Sequence, residues 1–227
     1  MTNTLSDKIK PLIQTTEDGS HTLFVSEINE SYHSLFGAIQ ESKYIFIDAA
    51  LKFSGKKELS ILEVGFGTGL NAFLTYVEAA NRGLFVDYTT IEKFPVAFEE
   101  AIKLNYPEKV SPENRAVFNF LHFWQWNQPV QITENFVFEK IQADFTGYHH
   151  KSTYDIIYFD AFSPEKQPEM WTQELFEKLY DQCNPGAILT TYCAKGEVRR
   201  RLISAGFSVE RLPGPPGKRQ ILRAIKM

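Results

Sequence analysis

The chain reads as an α/β protein built on a mostly parallel sheet with helices on both faces. Three observations lead there. Apolar runs of strand length alternate with segments of helical periodicity, as buried parallel strands and their crossovers do. One run, Ile61 to Val64, breaks into a glycine-rich turn that opens a helix. The last two apolar runs are joined only by Pro213 to Lys218, too short for a helical crossover, so that pair is antiparallel. At 227 residues, 43% of them hydrophobic, the chain suits one such domain with a small appendage.

The elements follow in order. LIQTT and HTLFV flank Glu17, Asp18 and Gly19, and Asp-Gly supplies a hairpin turn. A helix through Gln40 and an apolar run from Tyr44 to Ile47 complete an appendage over residues 1–50. The main domain spans 51–227. It opens with strand Ser60 to Val64 and a helix from about Leu70 to Ala80, with Gly83 as its stop. Strand Tyr88 to Glu92 leads to a helix opened by Pro95. Strands Phe136 to Ile141 and Asp155 to Phe159 precede a helix from Thr172, onto which Trp171 can staple through Phe176. Strand Ala187 to Tyr192, a helix from Gly196 to Ala205, and strands Ser208 to Leu212 and Ile221 to Ile225 close a seven-stranded sheet.

Composition excludes several classes. No apolar stretch reaches the roughly 20 residues of a membrane span, and MTNTLSDKIK lacks the apolar region of a secretory signal, so a cytoplasmic protein is expected. Cys183 and Cys193 form no C-x-x-C pair, and the five histidines, including adjacent His149 and His150, show no H-E-x-x-H spacing. No metal is expected. Net charge is −4, yet from Lys195 onward nine Lys/Arg face two Glu, leaving an acidic body with a basic tail. Such asymmetry suits a face that meets phosphates, and equally a solvated helix.

The turn after the first main strand carries the chemistry. Glycines at 65, 67 and 69 let backbone N–H groups and a helix N-terminus approach a ligand without Cβ atoms in the way. A P-loop would need Gly-Lys-Ser/Thr, but Leu70 and Asn71 follow Gly69. The dinucleotide fingerprint places its third glycine one residue later than here. Glu63 through Gly69, E-x-G-x-G-x-G, resembles the first motif of the class I S-adenosylmethionine-dependent methyltransferases, whose cofactor carries a sulfonium and an ammonium. That resemblance implies a Rossmann-like fold closed by an antiparallel strand.

Ligands of open α/β sheets sit beyond the carboxyl ends of the strands, where Glu63, Glu92, Asp144 and Asp160 all fall. Glu92 is assigned to the ribose hydroxyls and Asp144 to the adenine amino group, each against the alternative of a helix cap or loop acid. Glu41 is a candidate partner for the cofactor ammonium, a helix-terminal surface acid being the other reading. Asp160 precedes a segment stiffened by Pro164 and Pro168. A carboxylate there can orient an acceptor amine and take its proton, which makes it the candidate catalytic base.

Beyond the fold class, ESKYIFID, ILEVGFGTGLNAF, TTIEKFP, DAFSPEKQPEMW, GEVRRRLISAGF and GPPGKRQILRA together resemble the methyltransferase part of the bacterial tRNA 5-methylaminomethyl-2-thiouridine biosynthesis proteins. The resemblance covers the length after the hairpin. It implies methyl transfer to the 5-aminomethyl nitrogen of the wobble uridine in tRNA, in a form without the fused FAD oxidase domain. Arg199, Arg200, Lys218 and Arg219 then become candidate tRNA phosphate contacts. The aromatic run Val117 to Trp126 reads as core or as a stacking surface for a base. Two other functions stay open: an aminopropyltransferase acting on polyamines, suggested by Tyr32-His33 but lacking a second acid where Ser163 stands, and a noncatalytic nucleoside or RNA-binding module.

Overall fold

The structure is a computed structural model, and it describes residues 11–148 and 152–227. The N-terminal decapeptide and the His149–His150 pair considered above lie outside the described residues. Gly19, at φ +76°, turns the chain between β1 (Leu12–Thr15) and β2 (His21–Val25). Asp18 secures that turn by accepting from the Ser20 N–H at 2.9 Å and the Thr16 hydroxyl at 2.7 Å. A third strand, β3 (Glu30–Ser31), pairs antiparallel with β2, so the expected hairpin is a three-stranded sheet.

Helix α1 (Ala38–Ser42) runs without a break into a wider π-helical segment, Lys43–Lys52. The apolar run expected there as a separate stretch is therefore helical. It buries Ile45, Phe46, Ile47, Ala50 and Leu51 because helix α2 (Leu70–Arg82) and the main sheet flank it.

The main sheet comprises β4 (Glu58–Val64), β5 (Phe85–Glu92), β6 (Val130–Thr133), β7 (Phe136–Gln142), β8 (Tyr154–Phe159), β9 (Cys183–Thr191), β10 (Ser208–Pro213) and β11 (Gln220–Ile225). Its spatial order is β10-β11-β9-β8-β4-β5-β7-β6. β4, β5, β7, β8 and β9 pair in parallel, and β11 runs antiparallel to both β9 and β10. Seven of these strands are the expected ones. The eighth, β6, is a four-residue edge strand with an irregular register at Gln131/Thr133, too short to announce itself by periodicity.

Helices α2 (Leu70–Arg82), α3 (Phe98–Ala101), α4 (Tyr106–Val110), α5 (Arg115–Phe123), α6 (Gln173–Asp181) and α7 (Gly196–Ser204) complete the fold. Successive strand residues point to opposite faces, so Ile61 and Leu62, like Ile156 and Ile157, feed two separate apolar layers. Thr172 caps α6 by accepting from the Leu175 N–H, and the Trp171 and Phe176 rings meet edge to face at 6.4 Å. β4 lies between β8 and β5, where the strand order reverses, and its carboxyl end is the place for a ligand.

Candidate active site

A cavity of about 240 Å³ opens at that place, walled by the β4–α2 turn, the ends of β5, β7 and β8, and residues 30–34 of the N-terminal sheet. Gly65 adopts φ +97°, and a Cβ there would lie 2.6 Å from the Asp160 carbonyl oxygen. Gly67, at φ +48°, carries the Tyr32 ring 2.8 Å from where its Cβ would be. The third glycine departs from expectation. Gly69 does not line the cavity; it packs against His122, whose Nε2 would be 2.6 Å from a Cβ.

Thr68 is held from two sides. His122 Nε2 lies 3.1 Å from its carbonyl oxygen, and His33 Nε2 lies 2.7 Å from its hydroxyl. Burial pushes His33 down to about 4 and His122 to about 3, so both rings are neutral at neutral pH. Behind them Lys140, fully buried, donates to the His122 carbonyl and sits 4.7 Å over the Trp126 ring; burial lowers it to about 8. Within the Val117 to Trp126 run Phe118, Leu121 and His122 are buried and Val117 and Trp126 pack against the core, whereas Phe123 is 71% exposed. The run's grip on the glycine turn had no signal in the sequence, where His122 is one ring among many.

The acids divide by environment. Glu63, expected at the cofactor, faces the interior beneath the turn and is wholly buried. Tyr88, Thr90 and Asn71 turn toward it without closing a hydrogen bond, and burial raises its pKa well above the carboxylate range. The pleat explains the placement: Glu63 aligns with Thr90 and Tyr158, pointing to the face under α2 while Val64 reaches the cavity. Glu92 does line the cavity. It accepts from the Gly67 N–H at 3.1 Å and the Phe94 N–H at 2.8 Å, and burial raises its pKa.

Asp144 stands at the rim, paired with Lys93 at 2.8 Å and accepting from Thr146; the Lys93 contact first, then Thr146, holds it down at about 2. Asp160 accepts from Asn71 Nδ2 at 2.8 Å, and burial pushes it up to about 7 despite that bond. Its backbone N–H is tied to Val64 at 3.0 Å.

The segment after Asp160 is fastened at each step. Tyr192 donates its hydroxyl to the Ala161 carbonyl at 2.9 Å, and Trp171 Nε1 donates to the Phe162 carbonyl at 2.8 Å. Ser163 donates from N–H and hydroxyl to Glu30 at 3.3 and 3.0 Å. Glu30 lines the cavity and was missed, since 133 residues separate the partners. An acid does therefore stand beside Ser163, supplied from β3.

Glu41 is buried rather than at the surface and accepts from the Ser34 N–H at 2.8 Å. Lys218, expected on phosphates, instead points inward. It lies 3.0 Å from Glu41 and 4.6 Å over the Tyr192 ring, because the Gly214–Gly217 turn folds the β10–β11 loop back over the sheet end. Arg219 and Arg200 are exposed and Arg199 is half-buried, outside the cavity. A shallow groove continues past Tyr192 and Lys218 along Pro164, Lys195 and Arg219.

Carboxylates of Glu41, Glu92 and Asp160 around a bare-backbone turn fit a cationic nucleoside. Among the described residues, no group of three or more His, Cys, Asp or Glu is placed to hold a metal ion, and no helix is long and apolar enough to cross a membrane. The fold is that of the class I S-adenosylmethionine-dependent methyltransferases. Residues 116–227, just under half of the chain, match the family described as S-adenosyl-L-methionine-dependent methyltransferase.

Over 219 residues it is 31% identical to the tRNA 5-methylaminomethyl-2-thiouridine biosynthesis bifunctional protein MnmC of Aeromonas salmonicida (strain A449), covering 85% of this chain and 32% of that one. The Aeromonas hydrophila MnmC is 31% identical over 223 residues, covering 87% and 33%. The chain thus spans about a third of the length of these curated relatives. The structure of MNMC2 from Aquifex aeolicus superposes with a TM-score of 0.75 at 27% identity, covering 96% of this chain and 71% of that one. Spermidine synthase from Thermotoga maritima, with a TM-score of 0.63 at 13% identity and coverage of 97% and 70%, shares the fold.

Proposed function

We propose that this protein methylates the 5-aminomethyl nitrogen of the wobble uridine in tRNA, giving the 5-methylaminomethyl group, with S-adenosylmethionine as donor. The observation that carries the reading is Asp160. Its carboxyl is fixed by Asn71, sits where the β8 strand delivers it to the cavity, and titrates at about 7. A primary amine is protonated at neutral pH and must lose a proton before its lone pair can attack a methyl carbon. A carboxylate near pH 7 is half ionised and matched to that task. The bound cofactor supplies the electrophilic methyl group. Glu92 and Asp144 would hold its adenosine end, Gly65 and Gly67 give the turn room against it, and Tyr192 and Ser163 keep the loop over Asp160 in place.

The similarity to MnmC proteins supports tRNA as the acceptor. Exposed Arg200 and Arg219, with Arg199 and the groove past Lys195, support a phosphate-contacting approach. The polyamine reading has less support: its structural match is a fold likeness at 13% identity, whereas the MnmC proteins are 31% identical over most of this chain. The test is Asp160→Asn, assayed with labelled S-adenosylmethionine on tRNA lacking the methyl group, followed by nucleoside analysis. Turnover should fall by roughly 100-fold or more while affinity for S-adenosylhomocysteine stays near wild type. Full activity in that variant rejects the role, and label in any other nucleoside rejects the substrate.

A further inference from the structure

Glu63 is a wholly buried acid with no cation facing it. The groups turned toward it are Thr90 and Tyr88 of β5, Asn71 of α2 and a second acid, Asp160, just past β8. Tyr158 of β8 is the other titratable neighbour, and burial keeps both phenols protonated. A carboxylate in such a place lacks the counter-charge that burial demands. Three buried acceptors also stand there without a donor: both Glu63 carboxyl oxygens and Asn71 Oδ1. One proton on Glu63 supplies the donor this group lacks.

The Asn71 amide is committed on one side only. Its Nδ2 donates to Asp160 at 2.8 Å, which leaves the second N–H and the unpartnered Oδ1 for the interior. A protonated carboxyl complements that edge: its O–H donates to the amide oxygen while its carbonyl oxygen accepts the spare N–H. An ionised carboxyl would instead set acceptor against acceptor at Oδ1. The charged and titratable neighbours of Asp160 on its other sides are Glu41, Lys218 and Tyr192, and the side-chain donor to its carboxyl is Asn71.

Resting on the reading of Asp160 as the base, we infer that Glu63 is kept as the neutral acid and pairs with the Asn71 amide, locking it so that its remaining N–H stays on the Asp160 carboxylate. Glu63 is then a positioning residue. Its proton stays in place throughout the reaction, and it acts on the base from behind, through Asn71.

Two measurements test this. Infrared spectra near pH 9, where ordinary carboxyls are ionised, should show a protonated carboxyl band in the wild type that moves when glutamate carries a carbon-13 carboxyl and is missing from Glu63→Gln. A wild type without that band overturns the inference. The pH profile of kcat/KM then tests the route through Asn71. Glu63→Gln, whose amide can make the same two contacts, should keep the wild-type apparent pKa. Glu63→Met, which can make neither, should raise it by about one unit, as should Asn71→Leu, with no further shift in the double variant. An unchanged profile in Glu63→Met, or an additive shift in the double variant, overturns the route. A lowered apparent pKa in both Glu63 variants would mean an ionised Glu63 beside Asp160 and overturns it too. Should Glu63→Met fail to fold, the band and the Glu63→Gln profile decide. Full activity in Asp160→Asn would instead remove the base reading, with the infrared result still standing for Glu63.

Discussion

Replacing Gly65 by alanine tests whether the turn is glycine for conformation alone or also for room. At φ +97° an L residue is strained by about 1–3 kcal/mol. The new methyl would also lie 2.6 Å from the Asp160 carbonyl oxygen, a backbone atom that cannot swing aside, adding about 1–3 kcal/mol of overpacking. The sum, about 2–6 kcal/mol, corresponds to a fall in Tm of roughly 5–20 °C for a chain of this size. Gly83→Ala is the control: its φ is +60° with nothing within 4 Å of the added Cβ, so strain alone applies, about 1–2 kcal/mol. Thermal melts of both variants, with S-adenosylhomocysteine titrations, decide the matter. Equal losses of stability in the two, with ligand affinity intact in Gly65→Ala, would refute the close-approach argument.

The remaining predictions concern the site. Because burial holds the Asp160 proton up to about 7, kcat/KM for methyl transfer should climb with pH to a plateau with an apparent pKa near 7; a flat profile between pH 5 and 8 would exclude Asp160 as the titrating base. The folded-state value lies above the unfolded one, so the native state holds that proton more tightly and stability falls as pH rises from about 4 to 7. Asp160→Asn should flatten that decline in melts at pH 5 and 8. Glu30→Ala removes the acceptor of two Ser163 donors and should cost about 1 kcal/mol, with faster amide exchange over residues 160–167. Unchanged exchange would mean the latch is idle. Arg200→Glu combined with Arg219→Glu should raise the tRNA Michaelis constant and flatten its salt dependence, leaving S-adenosylhomocysteine binding intact; unaltered tRNA kinetics would rule out that surface.

What the sequence disclosed was local. Gly65, Gly67 and Glu92 were legible because turn chemistry and strand-end position are properties of short windows, and Asp160 because prolines mark the loop behind it. Glu63 and Gly69 share the motif yet turn away from the cavity, since a one-residue step along a pleat or turn reverses facing, which the spacing does not encode. Lys218 and Glu41 were harder to place, because how far each is shielded depends on the β10–β11 loop closing over residues 30–41. Glu30 and His122 act across 133 and 54 residues, and no local pattern announces such partners. β6 escaped because an edge strand of four residues has no periodicity to detect.

The loop that carries Lys218 rests on the beginning of the chain: a Cβ on Gly217 would lie only 2.0 Å from the Phe36 ring, and Lys218 reaches Glu41 at 3.0 Å. A molecule seated between them bridges the first fifth of the polypeptide to its last strands. Binding free energy is then spent on holding the two extremities together. Saturating ligand should slow protease cleavage within residues 26–37 and 213–219 alike, two stretches that share no covalent neighbourhood.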